Sequence, residues 1–127
     1  MYHQPVPLTI LVVEDEPDLR DLIAEALTED GYAVVTSANG REAITCVEER
    51  DDQIHLLLID VQTPGVGASD VVRRLRQRWS TIQVLYMSGR ERAEVLRDLD
   101  PHDAPFLPKP FGLGTLTERV RQLLVIA

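Results

Sequence analysis

The chain has 127 residues, of which 44% are hydrophobic, and a formal net charge of −8. This length is enough for one domain with its own hydrophobic core and too short for two. The negative charge argues against a nucleic-acid interface, because such surfaces are basic. The single cysteine excludes an internal disulfide and fits a reducing compartment, and no apolar run is long enough to span a membrane. We therefore expect a cytoplasmic protein that contacts neither nucleic acid nor membrane.

Strands and helices are predicted to alternate along the chain after a short leader. Residues 1–7 contain two prolines and no periodicity, which predicts a flexible leader, followed by one domain over 8–125. Short apolar runs predict strands, in chain order, over 8–13, 33–36, 54–59, 83–87 and 105–107. Apolar residues at helical spacing predict helices over 17–30, 40–50 and 71–79, an irregular one over 92–99, and a last one over 115–124.

This order of elements predicts an α/β fold. Five successive strand–helix units imply a parallel sheet with right-handed crossovers and helices on both faces. Pro108 follows the last apolar run and cannot donate to a strand ladder, so the fifth strand should lie at the sheet edge. Thr115 and Glu118 have the spacing of a capping box, which predicts that the last helix begins there.

Two of the apolar runs end in acidic residues. Glu14 and Asp15 follow the first run, and Asp60 follows the third. Because the carboxyl ends of parallel strands meet at one edge of a sheet, these three carboxylates should converge. Crowded carboxylates repel each other, so at least one should have a raised pKa in the absence of metal. Oxygen ligands of this kind suit a hard divalent cation such as Mg²⁺.

Two further polar groups follow later strands. Ser88 lies after the fourth strand and Lys109 after the fifth, so both should reach the same edge of the sheet. Taken singly, these residues and the acids have ordinary explanations, such as a helix start, a turn, a loop or a solvated surface. Taken together, they form a set that suits a phosphoryl group on a carboxylate: carboxylates for a metal, an ammonium for charge and a hydroxyl donor.

The ordered set resembles the receiver domain of bacterial two-component response regulators (CheY-like), over about residues 8–124. The resemblance rests on the motifs Glu14-Asp15, Asp60, Ser88-Gly89 and Lys109-Pro110. It implies a flavodoxin-like (βα)5 three-layer sandwich with strand order 2-1-3-4-5. It also implies a function as phosphoacceptor in a two-component phosphorelay, with a histidine kinase or phosphotransfer protein as donor and an output partner that the sequence does not identify.

The resemblance assigns chemical roles to individual residues. Asp60 matches the phosphoacceptor and Lys109 the lysine that pairs with the phosphate. Asp15 and Asp60 match direct ligands of Mg²⁺ (or Mn²⁺), joined by the backbone carbonyl of Gln62, while Glu14 acts mainly through water. The resemblance also implies a cis peptide bond between Lys109 and Pro110.

Further roles concern switching and phosphate lifetime. Ser88 matches the switch hydroxyl, which moves onto the phosphoryl group, and Phe106 matches the aromatic position that turns inward after it. Ordinary packing is an equally good explanation for Phe106. Gln62 and Arg90 match the two positions that flank the path of the hydrolytic water, so both should tune dephosphorylation.

The chain also departs from the family pattern. Thr63 stands where the family usually has methionine, and residues 99–105 replace the common short link after the predicted helix over 92–99. Together with residues 86–89 and 106–111, that stretch is similar to receivers of hybrid sensor kinases.

Three functions are consistent with the chain. The first is the phosphoacceptor module, which catalyses its own phosphorylation and slow dephosphorylation, is not otherwise an enzyme, and is monomeric or weakly dimeric. The second is a pseudo-receiver, which binds partners without being phosphorylated. The third is a metal-dependent phosphatase, although such enzymes usually have a second aspartate where Gln62 stands.

Overall fold

The computed structural model describes residues 6–63, 65–89 and 105–124. The strands of this part of the chain are β1 (Thr9–Val13), β2 (Ala33–Ser37), β3 (Leu56–Asp60), β4 (Gln83–Ser88) and β5 (Phe106–Pro108). The helices are α1 (Pro17–Glu29), α2 (Gly40–Glu49), α3 (Ala68–Arg78) and α4 (Leu113–Leu123). The predicted helix over 92–99, residue Arg90 and most of the predicted leader lie outside the described residues.

All five strands are parallel and pair in the order β2-β1-β3-β4-β5. The predicted fold class and strand order are therefore confirmed. Strand β5 lies at the sheet edge, where Pro108 ends it and lacks the N–H that an inner strand would need. The carboxyl ends of β1, β3, β4 and β5 consequently lie side by side.

The sheet separates two hydrophobic clusters. Every residue of β1 and β3 is buried, and alternate residues enter opposite clusters. One cluster packs against α2 and α3 through residues such as Val47, Val71 and Leu75. The other packs against α1 and α4 through residues such as Ile23 and Leu116. Each fully buried side chain of this size contributes about 1.5–3 kcal/mol, which holds the strand ends in place.

The structure corrects some of the predicted boundaries. Strand β3 begins at Leu56 rather than at residue 54. At His55 the backbone N–H still donates to the Thr9 carbonyl at 2.8 Å, but the Thr9 N–H donates to the His55 side chain, at Nδ1, over 3.0 Å. Strands β2, β3, β4 and β5 each end one residue later than predicted. Helix α1 ends as predicted, before Gly31, whose φ of +98° suits glycine.

The predicted capping box is wrong. Helix α4 begins at Leu113, and Gly112 is its N-cap residue with an extended backbone. No side chain caps this end of the helix, and Thr115 lies within the first turn rather than at the cap. The Gly112 carbonyl accepts the N–H of Leu116 at 3.1 Å, so the helical bonds start earlier than the Thr115–Glu118 pattern indicates.

Candidate functional site

The polar residues predicted to converge do lie together at the carboxyl end of the sheet. Glu14 directly follows β1, Asp60 ends β3 and Ser88 ends β4. Carboxylate oxygens of Glu14, Asp15 and Asp60 lie within 4.8 Å of one another. Glu14 and Asp60 are buried at 0% and 5% exposure, whereas Asp15 is exposed. The cluster therefore has a buried base and an opening towards solvent at Asp15.

Lys109 connects two members of this cluster. Its Nζ lies 2.5 Å from Glu14 Oε1 and 2.6 Å from Asp60 Oδ2. The lysine reaches this position because it directly follows β5 and its backbone N–H donates to the Ser88 carbonyl at 2.9 Å. Lys109 is the one lysine of the sequence, and its ammonium group bridges two carboxylates that are almost fully buried.

The pKa values of this group follow from burial and pairing. Burial raises the pKa of Glu14, and the hydrogen bonds from Lys109 and from the Glu16 N–H offset that effect only in part. Burial alone would lower the pKa of Lys109, but its hydrogen bonds to Asp60 and Glu14 outweigh this and raise it. A raised carboxylate pKa was expected, and Glu14 has one. Its main cause, however, is loss of solvent rather than the expected repulsion between carboxylates.

The carboxylate of Asp60 is held at both oxygens. Its Oδ1 accepts the backbone N–H of Gln62 at 2.7 Å, and its Oδ2 accepts from Lys109. The backbone beside it is also fixed, since the Val61 N–H donates to the Met87 carbonyl of β4 at 2.9 Å. A carboxylate restrained in this way presents a defined oxygen to an incoming group.

Two contacts at the site were not predicted from the sequence. Arg20 of α1 donates from Nη1 to the backbone carbonyl of Glu14 at 3.0 Å, which ties the first helix to the acidic turn. A basic residue in the first turn of the helix that follows an acidic pair is the only sequence signal for this contact. Thr63 was noted as a departure from the family, but its hydroxyl bond to the Asp60 carbonyl was not foreseen.

The predicted switch residues lie on the last two strands of the sheet: Ser88 ends β4, and Phe106 begins β5, where it pairs with Tyr86. Ser88 is fully buried, and Phe106 is partly buried against the cluster that contains Tyr86. The Phe106 carbonyl accepts a hydrogen bond from Arg119 of α4 at 3.2 Å. The Lys109-Pro110 peptide bond is cis, as the resemblance implied. The switch roles themselves stay predictions.

Comparison with known proteins decides the family. The sequence model of the response regulator receiver domain family matches residues 10–121 of this chain. The chain belongs to this family. Receiver domains interact with histidine kinases or phosphotransfer proteins and bind Mg²⁺ at an acidic cluster, and this receiver domain has such a cluster in Glu14, Asp15 and Asp60.

The receiver domain is similar to both regulators and kinases. It is 39% identical over 115 residues to the transcriptional regulatory protein TcrA of Mycobacterium tuberculosis, which covers 90% of this chain and 45% of TcrA. It thus spans about half the length of that relative. The receiver domain of the hybrid histidine kinase CckA matches with a TM-score of 0.76 and 35% identity, over 92% of this chain and 99% of the other. This match confirms the resemblance to receivers of hybrid kinases.

A third match was solved as a complex with a ligand. The crystal structure of the response regulator TrrA from Thermotoga maritima, in complex with Mg²⁺ and BeF, has a TM-score of 0.74 and 28% identity. The match covers 92% of this chain and 99% of TrrA.

Among the described residues of the present receiver domain, no helix has the length and apolar character needed to cross a bilayer.

Proposed function

We propose that this receiver domain accepts a phosphoryl group on Asp60 from the phosphohistidine of a histidine kinase or phosphotransfer protein. The main support is the Asp60 carboxylate, held between the Gln62 N–H and the Lys109 ammonium within an acidic cluster. An Asp60 oxygen forms the bond to phosphorus as the N–P bond of the donor breaks, and the electron pair of that bond stays with the imidazole. The Lys109 ammonium then pairs with the oxygens of the transferred group.

The residues present fit a divalent cation, Mg²⁺ or Mn²⁺. Three carboxylates against one ammonium leave two negative charges when all four groups are ionised. We assign Asp15, Asp60 and the Gln62 carbonyl as ligands. Glu14 is assigned to act mainly through water, as the resemblance implies; its Oε1 accepts from Lys109 and its Oε2 accepts the Glu16 N–H at 3.0 Å. When bound, the cation neutralises part of the negative charge on the phosphoryl oxygens. The TrrA complex with Mg²⁺ and BeF supports this assignment by similarity.

The same proposal includes the switch and the lifetime of the phosphate. Ser88, buried at the end of β4, donates to the phosphoryl group, and Phe106 moves into the space that Ser88 leaves. Gln62 and Arg90 tune dephosphorylation. The domain phosphorylates and dephosphorylates itself but does not turn over added phosphoesters. A cytoplasmic location, supported by the single Cys46, and a monomeric or weakly dimeric state complete the proposal.

The donor protein is proposed to rest on a cavity beside Lys109. This cavity, of about 310 Å³, is lined by Glu16, Leu19, Lys109, Pro110 and Phe111. One of its lining residues, Lys109, contacts Asp60 through its ammonium group, so a protein that delivers a phosphohistidine to Asp60 meets this rim. Phe111→Ala should then slow transfer from a phosphorylated histidine phosphotransfer protein and leave labelling by acetyl phosphate unchanged. Equal slowing of both reactions would contradict docking at this rim.

Intact mass after incubation with acetyl phosphate and Mg²⁺ separates the candidate functions. The proposal predicts one added phosphoryl group, lost slowly after the donor is removed and not formed on Asp60→Asn. A pseudo-receiver would gain no mass. A phosphatase would hydrolyse p-nitrophenyl phosphate with many turnovers. Either of the last two results would overturn the proposal.

A further inference from the structure

The turn after Asp60 is closed by a side chain as well as by the backbone. The Thr63 N–H donates to the Asp60 carbonyl at 3.1 Å, and the Thr63 hydroxyl donates to the same oxygen. A carbonyl oxygen has two lone pairs and accommodates both donors. Thr63 is 7% exposed, so water has little access to replace the hydroxyl bond.

This turn contains the groups that orient the Asp60 carboxylate. Gln62 lies between the two ends of the turn, and its N–H donates to Asp60 Oδ1 at 2.7 Å. The carbonyl of the same residue is an assigned metal ligand. Any motion of the turn therefore changes both the orientation of the carboxylate and the position of that ligand.

We propose that Thr63 is a positioning residue for the chemistry at Asp60, an inference that rests on the proposed function. Its hydroxyl adds a second bond that restrains the turn, so the Gln62 N–H stays on Asp60 Oδ1 and the Gln62 carbonyl stays in the position from which it would bind a metal. Methionine, the residue usual for the family at this position, has no hydrogen to donate. This chain has thus replaced an apolar side chain with a hydroxyl at the first turn after its phosphoacceptor.

Two substitutions at position 63 separate the hydroxyl from the shape of the side chain. Thr63→Val keeps the shape and removes the donor, and Thr63→Ser keeps the donor and removes the methyl group. The loss of one hydrogen bond of ordinary net strength corresponds to about fivefold in an equilibrium. In Thr63→Val we expect roughly fivefold faster amide exchange at Gln62 and Thr63 without metal, and roughly fivefold weaker binding of Mg²⁺ alone. Thr63→Ser should stay within about twofold of wild type in both measurements.

The outcomes separate this inference from the proposed function. Unchanged exchange and Mg²⁺ binding in Thr63→Val would overturn the role of Thr63, even if wild-type Asp60 is phosphorylated normally. Equal impairment of Thr63→Val and Thr63→Ser would also overturn it, because a variant that keeps the hydroxyl would then be no better than one that lacks it. Exchange of the β4 amides, which should not change, verifies that each variant is folded. If the wild-type protein gains no phosphate, the proposed function is wrong. The amide exchange data without metal would still decide whether Thr63 restrains the turn.

Discussion

Replacing Lys109 with methionine should destabilise the metal-free protein more than any loss of a surface charge. Methionine fills a similar volume but leaves Glu14 and Asp60 without their shared cation. The carboxylate side chains are only 1% and 7% exposed, so solvent compensates poorly for the loss. Lys109 has a raised pKa, so its stabilising effect is fully present below the unfolded value of 10.5 and is lost as pH rises through the folded value. The effect is therefore complete at pH 7.

The expected size follows from burial. Removing one partner of a buried ion pair costs about 3–5 kcal/mol. Because the Lys109 side chain is 20% exposed and the cluster opens to solvent at Asp15, we expect about 2–3 kcal/mol here. For a domain of this length that corresponds to a fall in Tm of roughly 10 °C. Arg73→Met is the matched control: its pair with Asp70 is 2.6 Å long but exposed on α3, and should contribute less than about 0.5 kcal/mol.

Urea unfolding at pH 7 in the presence of EDTA gives the free energy of unfolding of both variants and of the wild type. The same measurement is then repeated at increasing concentrations of Mg²⁺. The cation binds the folded cluster, so it should restore more stability to Lys109→Met than it adds to wild type. The reasoning fails if Lys109→Met and Arg73→Met lose equal stability. It also fails if Mg²⁺ stabilises Lys109→Met no more than wild type, because the cation would then not be replacing the missing charge.

The remaining predictions concern Glu14, Gly40 and His55. Because the pKa of Glu14 is raised, its charged form destabilises the metal-free protein above that pKa, and stability should increase as the pH falls through it towards 4.5. Glu14→Gln should abolish this increase. The prediction is refuted if the wild type and Glu14→Gln show the same dependence of unfolding free energy on pH. A methyl group at Gly40 would overlap the Val66 carbonyl, so Gly40→Ala should lose about 1–3 kcal/mol in urea unfolding, whereas a gain in stability would show that the loop yields. His55→Phe leaves the buried Thr9 N–H without its acceptor and should lower the free energy of unfolding by about 1–3 kcal/mol. His55→Asn retains an acceptor and should lower it less. Equal losses in the two variants would exclude the hydrogen bond as the cause.

The sheet and the convergence of its polar groups were predictable because both depend on local patterns. Continuous apolar runs mark strands buried on both faces, and successive strand–helix units require parallel pairing. Once the strands are parallel, the residues after them must meet at one edge. Glu14, Asp60, Ser88 and Lys109 could therefore be placed together from the sequence alone.

The contacts that tune the site could not be predicted, since they join parts of the chain that only the folded structure brings close. Lys109 and Glu14, which form such a contact, are 95 residues apart in sequence. At the opposite end of the sheet, where β1 and β3 begin, the bond between Thr9 and His55 joins residues 46 apart and was equally unpredictable. The dominance of burial over repulsion at Glu14 depends on atoms from several elements. The start of α4 was misplaced for a different reason: Thr115 and Glu118 have the spacing of a capping box, but the helix already begins at Leu113, so Thr115 lies within its first turn.

Chemical trapping of the phosphorylated residue tests the central claim most directly. Borohydride reduces an aspartyl phosphate to homoserine, so protein treated with acetyl phosphate and Mg²⁺, reduced and digested, reports the modified position by peptide sequencing. The account predicts homoserine at position 60 and unmodified aspartate at Asp15. Homoserine at Asp15, or at no position despite an added phosphoryl mass, would contradict Asp60 as the phosphoacceptor.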